Sequence, residues 1–403
     1  MEQVERVYRE EFGRVVASLT RRFGDIDVAE DAAGEALLVA LERWPVDGVP
    51  PNPGAWLTTT AARKAIDRIR RESHRDAKHQ AALMLDDDTP HEPTGPVDDD
   101  RLRMVFTCCH PALAPEARVA LTLRLLGGLT VGEIAQAFFV PETTMAQRIT
   151  RAKKKIAGAG IPFRVPSLAD LPERLSGVLA VVYLVFNEGY LSTSGADGQS
   201  VRDDLTGEAI RLGRILHDLL PDEPEVTGLL ALMLLTESRR PARVAADGVL
   251  VPMPEQDRSA WSRPLIVEGH ALVRECLAIN RPGRYQLMAA VNAVHTDART
   301  ADATDWSQVV ALYGQLAALD PSPVVALNRA VAVAELDGPE VALALVDRLP
   351  LEGYHAFHAT RADLLRRLGR SAEARAAYDA ALSLIDNPAE TAYLTRRRDQ
   401  LGG

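Results

Sequence analysis

The sequence predicts an all-α protein built of several helical modules. Apolar residues recur at intervals of three and four through most of the chain, and no segment shows the apolar and polar alternation that is typical of a strand. Stretches rich in Pro and Gly separate the helical runs. With 403 residues, 47% of them hydrophobic and 25% charged, the chain has the composition of a globular protein of about two to three domains.

The sequence predicts no membrane attachment and no export. The longest apolar run, residues 178–186, has nine residues, whereas a bilayer span takes about 20. The N-terminal segment MEQVERVYREEF is charged and lacks the apolar core of a signal peptide. Three cysteines are too few for a disulfide framework in so long a chain. We therefore expect a cytoplasmic protein.

The net charge of −10 is unevenly distributed along the chain. Residues 101–157 carry nine basic and three acidic side chains, whereas residues 76–100 carry one and eight. The remaining segments are acidic overall, with −1 for residues 1–75 and −8 for residues 158–403. The basic side chains of the first segment are nevertheless concentrated between Arg63 and Arg75. Basic patches on an acidic chain indicate local contacts with a polyanion.

Residues 1–75 predict a helical module of three helices. Asp27 followed by Glu30 resembles a capping box that opens the second helix. The spacing of that helix predicts an inward stripe of Ala32, Ala33, Ala36, Leu37, Ala40, Leu41 and Trp44. The segment WPVDGVPPNPG then breaks the chain, and a third helix starts near Ala55. The next segment, residues 76–100, contains DDDTPHEPTGPVDDD, which predicts a flexible acidic linker.

The third helix places basic side chains together on one face, with Trp56 near its edge. These side chains are Lys64, Arg68, Arg71 and Arg75. Such a cluster suits a sugar-phosphate backbone, and the indole could stack on an unpaired base. The alternatives are a solvated basic face and a tryptophan that belongs to the core.

The segment LTVGEIAQAFFVPETTMAQRITRAKKKI, residues 129–156, predicts a helix-turn-helix. Thr130 caps the first helix, Pro141 interrupts the chain, and the second helix begins near Glu142. At about 100° per residue, the second helix has a buried stripe of Met145, Ile149, Ala152 and Ile156. Its opposite, polar and basic face carries Thr144, Gln147, Arg148, Arg151 and Lys155. Such a face suits the DNA major groove, since arginine pairs with guanine edges; a solvated basic helix is the alternative.

Residues 1–157 closely resemble a group IV, or extracytoplasmic-function (ECF), sigma factor of bacterial RNA polymerase. The matching segments are AEDAAGEALLVALERW, PNPGAWLTTTAARKAIDRIRR and LTVGEIAQAFFVPETTMAQRITRAKKKI. The resemblance implies a sigma-2 domain at 1–75, a linker at 76–100 and a sigma-4 domain at 101–160. It also implies that the first domain binds the clamp helices of the largest polymerase subunit and opens the minus-10 element. The second domain would recognise the minus-35 element and dock on the flap of the other large subunit.

The resemblance implies roles for individual residues. Asp31 and Glu35 would form the acidic polymerase-binding face of the second helix, although acids in the first turns of a helix also complement its dipole. The minus-10 contacts would be Trp56, Arg63, Lys64, Arg68 and Arg71. The minus-35 contacts would be Thr144, Gln147, Arg148, Arg151 and Lys155. Two departures stand out: Arg63 replaces an asparagine that many relatives have, and Phe139 takes the place of a turn glycine, so the turn is expected to be altered.

Residues 167–403 lie beyond a minimal ECF sigma factor and resemble the C-terminal region of an ECF subgroup with a helical, tetratricopeptide (TPR)-like addition. A weak repeat from about residue 284 supports this resemblance, since Val309 is echoed by Ala342 and Ala374 at offsets of 33 and 32 residues. Small residues, Ala330 and Ala362, stand where paired helices pack closely. An irregular helical bundle is the alternative.

The extension is expected to regulate the sigma domains in cis or to recruit a regulatory protein. Its most distinctive stretch, residues 178–195, predicts an apolar helix that enters a turn. That turn bears Asn187, Glu188 and Tyr190, which we expect to contact the sigma domains. A simpler interpretation is a helix end capped by Gly189.

Two rival functions remain at this stage. Cys108, Cys109 and His110 could belong to a metal-binding enzyme or sensor, but adjacent cysteines do not readily satisfy one tetrahedral ion. A polymerase-independent regulator with a helix-turn-helix and a ligand-binding helical domain is the second rival. The sequence offers no catalytic triad and no phosphate-binding loop, so we predict no catalytic residue, no metal and no cofactor.

Overall fold

The computed structural model describes residues 2–73, 100–138, 140–167, 169–191, 199–245, 248–385 and 387–402. These residues form eighteen α-helices and no β-strand, which confirms the predicted all-α class. Contacts within the chain divide it into two compact units, residues 1–185 and 186–403. The predicted acidic linker, except Asp100, lies outside the described residues, as does Phe139. No helix in the described ranges is long and apolar enough to cross a bilayer.

The first unit begins with three helices, α1 (Glu2–Phe23), α2 (Ile26–Asp47) and α3 (Pro53–Ser73). They pack together around side chains that are at most 2% exposed: Phe12, Val16, Ala36, Leu57 and Ala65. The predicted capping box of α2 is wrong. Asp25 caps the helix instead, because its carboxylate accepts hydrogen bonds from the amides of Asp27 and Val28.

The inward stripe of α2 is correct except at its outer edge. Trp44 and the four stripe alanines are at most 4% exposed, but Leu41 is 36% exposed and Leu37 is half-buried. Because the small alanine side chains let α1 and α3 approach α2 closely, the buried part of the α2 surface does not extend to Leu41. The larger residues at that edge therefore face outward.

Four more helices of the first unit form the helix-turn-helix region: α4 (Asp100–Cys108), α5 (Pro115–Leu125), α6 (Val131–Ala137) and α7 (Glu142–Gly158). Thr130 caps α6 as predicted, in a capping box with Glu133. Pro141 precedes α7, which begins at Glu142 as predicted. The structure thus places the starts of α6 and α7 where the sequence indicates.

Helix α8 (Leu171–Leu191) starts in the first unit and continues across residue 185. Near its start, Arg174 donates a hydrogen bond to the Phe106 carbonyl oxygen of α4 (2.6 Å). The predicted turn at Asn187, Glu188 and Tyr190 is wrong, because all three residues are helical. Gly189 is likewise inside the helix, so it does not cap it. The residues just before them in the helix, Val185 and Phe186, are buried at 0% and 1% exposure.

The second unit opens with α9 (Gln199–Leu219), α10 (Pro224–Glu237), α11 (Arg263–Ile279) and α12 (Arg284–Asp297). Helix α10 is apolar on all sides, and eleven of its residues are buried: Pro224 and every residue from Val226 to Leu235. A helix that is apolar all round needs neighbours on every side. It accordingly packs against α9, α11 and α12 and forms the centre of this part of the unit.

Six further helices complete the second unit: α13 (Trp306–Leu319), α14 (Pro323–Leu336), α15 (Pro339–Val346), α16 (His355–Arg367), α17 (Ser371–Leu382) and α18 (Pro388–Asp399). Each contacts the next along the chain. Helices α13, α15 and α17 start at residues 306, 339 and 371, which reproduces the 33- and 32-residue offsets of the sequence repeat. Ala330 and Ala362 are both buried, at 1% and 0% exposure, where α14 and α16 approach each other.

Candidate nucleic-acid interface

The basic helix α7 is oriented by its apolar stripe. The predicted stripe residues, Met145, Ile149, Ala152 and Ile156, are the four buried residues of the helix, at 1% to 6% exposure. They pack toward α5 and α6, which contact α7. Because the stripe is fixed, the opposite face of the helix must point outward.

That outward face carries the five residues predicted to contact the minus-35 element. Thr144, Gln147, Arg151 and Lys155 are exposed, and Arg148 is half-buried. In the part of the chain that the structure describes, none of the three cations on this face lies within ion-pair distance of a carboxylate. The face therefore presents uncompensated positive charge and amide donors to any polyanion that approaches.

Helix α3 presents the residues predicted to contact the minus-10 element in a different electrostatic setting. Arg63 and Arg71 are exposed, and the Arg71 Nε donates to the Asp67 carbonyl oxygen (3.2 Å). Trp56 is half-buried and meets Trp44 edge to face, with ring centroids 5.3 Å apart. Its indole thus belongs partly to the core and keeps an exposed edge.

Two further cations of α3 predicted to contact the minus-10 element are paired with the acids predicted to bind polymerase. Lys64 Nζ lies 3.7 Å from Glu35 Oε2, and Arg68 forms an ion pair with Asp31. Asp31 precedes Glu35 by four residues in α2, whereas its partner Arg68 follows Lys64 by four residues in α3. The two helices therefore run antiparallel, with these side chains facing each other. The sequence assigned the four residues to two separate surfaces, and the structure brings them together.

A group of exposed apolar side chains on α2 was missed by the sequence reasoning. Leu38 is 61% exposed, Leu41 36% and Val46 84%. At about 100° per residue, Leu38 and Val46 lie within about 60° of Asp31 around the helix. The surface formed by Asp31, Glu35, Leu38, Leu41 and Val46 is called the α2 face below. In the sequence, the only sign of this surface is that α2 carries leucines outside its alanine stripe.

The cysteines considered for a metal site are buried thiols. Burial raises the pKa of Cys108 well above its usual value and that of Cys109 to about 11. Metal ligation needs a thiolate. The Cys109 sulfur instead meets the Thr122 hydroxyl at 3.5 Å, and the His110 ring accepts a hydrogen bond from the Ala112 amide. Among the described residues, no group of His, Cys, Asp and Glu is arranged to hold a metal ion.

The residues predicted to contact the sigma domains lie at the end of α8. Tyr190 is engaged inside the second unit, where the Arg243 guanidinium lies 4.4 Å from its ring centroid and also pairs with its carbonyl oxygen. Its ring stacks on Phe186 at 5.7 Å. Asn187 and Glu188 are half-buried. Tyr190 thus serves the packing of the second unit, which the sequence did not predict.

Comparisons with protein families assign three segments of the chain. Residues 7–75 match the family described as sigma-70 region 2, and residues 103–156 match sigma-70, region 4. Residues 174–277 match a family of unknown function, DUF6596. The two sigma regions coincide with α1–α3 and α4–α7, so both basic faces lie within them.

Individual relatives match either nearly the whole chain or about a third of it. An uncharacterized protein of Rhizobium meliloti (strain 1021) is 46% identical over 396 residues, which cover 96% of this chain and 93% of the relative. The ECF RNA polymerase sigma factor SigK of Mycobacterium ulcerans is 31% identical over 147 residues, 34% of this chain and 75% of the relative. The ECF RNA polymerase sigma factor SigJ of Mycobacterium tuberculosis is 28% identical over 144 residues, 34% of this chain and 44% of the relative. No solved structure matches the chain.

Proposed function

Because the chain belongs to the family of ECF RNA polymerase sigma factors, we propose that it binds core RNA polymerase, directs it to promoters, and is regulated in cis by its C-terminal extension. The observation that carries the proposal is the pair of sigma regions, each with a basic helix on its surface. The polymerase supplies the chemistry, and the chain supplies recognition. This partnership also implies a cytoplasmic location.

Helix α7 is proposed to contact the minus-35 element through the major groove. Its exposed amide and guanidinium groups match the acceptors on base edges, and each good bidentate contact is worth about 1–3 kcal/mol of discrimination. Arg148 and Arg151 are the proposed base contacts because they lie near the middle of the face. Thr144, Gln147 and Lys155 flank them, where contacts to phosphates and bases fix the register.

Helix α3 is proposed to contact the minus-10 element. Arg63 and Arg71 are free to meet phosphates, and Lys64 and Arg68 would join them when their pairs with α2 open. The exposed edge of Trp56 would meet an unstacked base. Capture of unpaired bases offsets the few kcal/mol that opening each base step costs.

The α2 face is proposed to dock on the clamp helices of the largest polymerase subunit. Its two acids provide charge complementarity, and its three apolar side chains provide surface that gains from burial. Such an exposed apolar patch on a soluble helix is typical of a protein-binding site. The region around α4–α7 is proposed to dock on the flap of the other large subunit.

A pull-down with core polymerase tests this docking. Leu38→Glu should weaken binding about tenfold or more, because it replaces an apolar contact worth about 1.5–3 kcal/mol with a buried charge. Leu277→Glu is the matched control, since Leu277 on α11 is 68% exposed and lies outside the α2 face. Equal binding by both variants would contradict the docking surface. Promoter-specific DNA binding by the chain without polymerase would favour the polymerase-independent alternative.

The extension, residues 167–403, is proposed to be a group-specific, TPR-like regulatory domain. The recurrent helix starts from α13 onward support the TPR-like character, and its net charge of −8 from residue 158 could complement the basic residues 101–157. A regulatory protein could also dock on it. The relative from Rhizobium meliloti is similar over the extension as well, which supports a shared role for it.

Truncation tests the regulatory role. A chain that ends after Ala159 should differ from the full chain in promoter-specific transcription, either in vitro with purified polymerase or in cells. The size of the difference measures regulation in cis, and its sign tells activation from restraint. Identical transcription by both chains under both conditions would contradict regulation in cis.

A further inference from the structure

In the second unit, the connection between α10 and α11, residues 238–262, lies against the end of helix α12. Arg258 holds the two together, because it donates hydrogen bonds to the carbonyl oxygens of His295 (2.5 Å) and Ala298 (2.7 Å). Carbonyl oxygens at the end of a helix carry partial negative charge. They therefore compensate part of the positive charge of Arg258.

Arg239, at the start of the same connection, has no partner that matches its charge. Its Nη2 donates to Asn292 Oδ1 of α12 (2.8 Å), and its Nη1 meets the sulfur of Met253, a weak acceptor (2.6 Å). Its Nε is buried without a hydrogen bond, and no carboxylate in the described ranges lies within ion-pair distance of it. The adjacent Arg240, by contrast, pairs with Glu237 (2.6 Å). Because a guanidinium binds carboxylate and phosphate groups most strongly, Arg239 retains donors suited to an anion.

Trp261, at the far end of the connection, presents a buried donor next to the two arginines. Its side chain is 6% exposed, and its Nε1 has no hydrogen-bond partner among the described residues. The next residue, Ser262, donates its amide hydrogen bond to the Ser238 carbonyl oxygen (2.8 Å), which brings Trp261 beside Arg239. The Arg258 guanidinium carbon lies 4.6 Å from the Trp261 ring centroid. Both arginines and the indole thus lie together.

His295, in the last turn of α12, adds a fourth group. Its side chain is 7% exposed, and its Nδ1 likewise makes no hydrogen bond within the part of the chain that the structure describes. Burial, Arg239 and Arg258 together lower the pKa of its imidazole to about 4, so at neutral pH the ring is uncharged and one nitrogen carries a hydrogen. Burial and Arg239 lower the pKa of Arg258 as well. Among the described residues, no carboxylate offsets these effects.

The unpartnered polar atoms of the second unit are concentrated at this place. Four buried side-chain atoms lack a hydrogen-bond partner among its described residues: Arg239 Nε, Gln256 Oε1, Trp261 Nε1 and His295 Nδ1. Each belongs to the connection or to the helix end that the connection contacts. A buried polar atom without a partner is unfavourable, so such a group indicates a bound ligand or ordered water. Because Arg239 adds uncompensated positive charge, an anion fits these donors better than water does.

We propose that Arg239, Arg258, Trp261 and His295 form a site, called the anion site below, that binds a small anion through a phosphate or carboxylate group. This inference goes beyond the proposed function and does not depend on it. The oxygens of the anion would accept hydrogen bonds from Arg239 Nε, Trp261 Nε1 and the His295 ring, and its charge would balance the guanidinium groups. Both arginines are half-buried, which leaves them accessible from solvent. The Gln256 side-chain oxygen would accept from a hydroxyl, which hydrogen phosphate has and acetate lacks.

Calorimetric titration of the full chain tests the anion site. Inorganic phosphate and acetate are titrated separately at constant ionic strength, with sodium chloride as the reference salt. We expect saturable binding that Arg239→Gln weakens about tenfold or more, since charge-assisted hydrogen bonds are lost. Arg299→Gln is the matched control, because it removes the same charge from an exposed position just beyond α12, and it should change the affinity less than twofold. Binding of phosphate to the basic faces of α3 and α7 would not change in either variant.

A spectroscopic measurement keeps the test decisive if Arg239→Gln does not fold. Trp261→Phe keeps an aromatic ring but removes the indole donor, so it should weaken binding about three- to tenfold. The chain has four tryptophans, and the indole N–H signal that is missing from the NMR spectrum of Trp261→Phe identifies Trp261. Phosphate or acetate should shift this signal in the unaltered chain, whereas the signal of Trp44 in the first unit should stay in place.

The order of the affinities identifies the class of ligand. Tighter binding of phosphate, which the Gln256 oxygen favours, assigns a phosphate group, and tighter binding of acetate assigns a carboxylate. No binding above that of chloride, or binding that both Arg239→Gln and Trp261→Phe leave unchanged, would overturn the anion site. Ordered water would then account for the unpartnered atoms, and the proposed sigma function would still stand.

Discussion

The two helices proposed to contact DNA differ in how their positive charges are compensated. On α7, the three cations of the outward face have no carboxylate partner among the described residues. On α3, Lys64 and Arg68 are paired with Glu35 and Asp31 of the neighbouring helix. Within the described part of the chain, the charges on the outward face of α7 are thus not paired, whereas the charges on α3 are partly paired with acids of α2.

Under the proposed function, this difference predicts an order of events. If polymerase docks on the α2 face, it engages Glu35 and Asp31 and breaks their ion pairs with Lys64 and Arg68 before these cations meet DNA. Each pair is 31% to 54% exposed, so its own contribution is small, about 0–1 kcal/mol. The free-energy coupling between polymerase binding and the minus-10 contacts would therefore be small, and the contributions of the two ion pairs would add.

The largest expected effect concerns the packing that orients α7. Ile149→Ala should lower the free energy of unfolding by about 2–5 kcal/mol, because it deletes a side chain that is 5% exposed in the apolar stripe. Thr150→Ala, at the adjacent exposed position, should stay within about 0.5 kcal/mol. Urea denaturation measures both values. Equal stability of the two variants would mean that the stripe does not fix the outward face.

The next effect tests whether that face recognises bases. Arg148→Ala should weaken use of the minus-35 element by about 1–3 kcal/mol and relax the preference at one base position. Lys155→Ala should weaken binding evenly across sequences, as loss of a phosphate contact does. Transcription from a promoter library in which each minus-35 position varies measures both. An unchanged base preference in Arg148→Ala would remove it from the proposed base contacts.

A smaller effect concerns the first helix of the helix-turn-helix. Thr130→Ala should cost about 1 kcal/mol of stability, since the capping box with Glu133 is lost. The matching change at the start of α3 is Asn52→Ala, because the Asn52 side chain accepts a hydrogen bond from the Ala55 amide (3.0 Å). Thermal unfolding of Thr130→Ala and Asn52→Ala measures the two losses of stability. A loss of minus-35 recognition in Thr130→Ala alone would show that α6 positions α7, and equal loss in both would contradict this.

The smallest effect tests the paired charges of α3 directly. Asp31→Asn combined with Glu35→Gln removes the acids that pair with Arg68 and Lys64. The dependence of log affinity for DNA on log salt should therefore steepen, by about 0.7–0.9 for each cation that gains a phosphate contact. Polymerase binding should weaken in the same variant, since both acids belong to the α2 face. Asp47→Asn, on the same helix but unpaired among the described residues, should change neither quantity. An unaltered salt dependence in the double variant would mean that these ion pairs do not mask α3 in solution.

Local signals in the sequence predicted the helix-turn-helix closely. The capping box at Thr130, the break at Pro141 and the stripe from Met145 to Ile156 all involve residues close in sequence, where helical geometry alone decides the outcome. The same local logic failed at Asp27 and Glu30, which have the spacing of a capping box. Their carboxylates bind Lys153 and Arg124, more than ninety positions away.

Other features depended on packing that the sequence does not display. Leu41 has the helical spacing of a buried residue, yet it is 36% exposed because the alanine-lined core of α2 does not extend to it. At the end of the helix through Asn187 to Tyr190, the guanidinium groups of Arg240 and Arg243 lie 5.5 and 4.4 Å from the centroid of the Tyr190 ring, contacts that no local sequence pattern predicts. Contacts between Asp31 and Arg68 likewise follow from the antiparallel placement of α2 and α3.

Run-off transcription with purified core polymerase and a library of genomic fragments tests directly whether the chain acts as a sigma factor. We expect discrete transcripts that appear only when the chain is added, that arise from fragments sharing two spaced elements, and that diminish with Leu38→Glu. Transcription that stays equally diffuse with and without the chain, with no co-elution of chain and polymerase, would contradict the proposed sigma function.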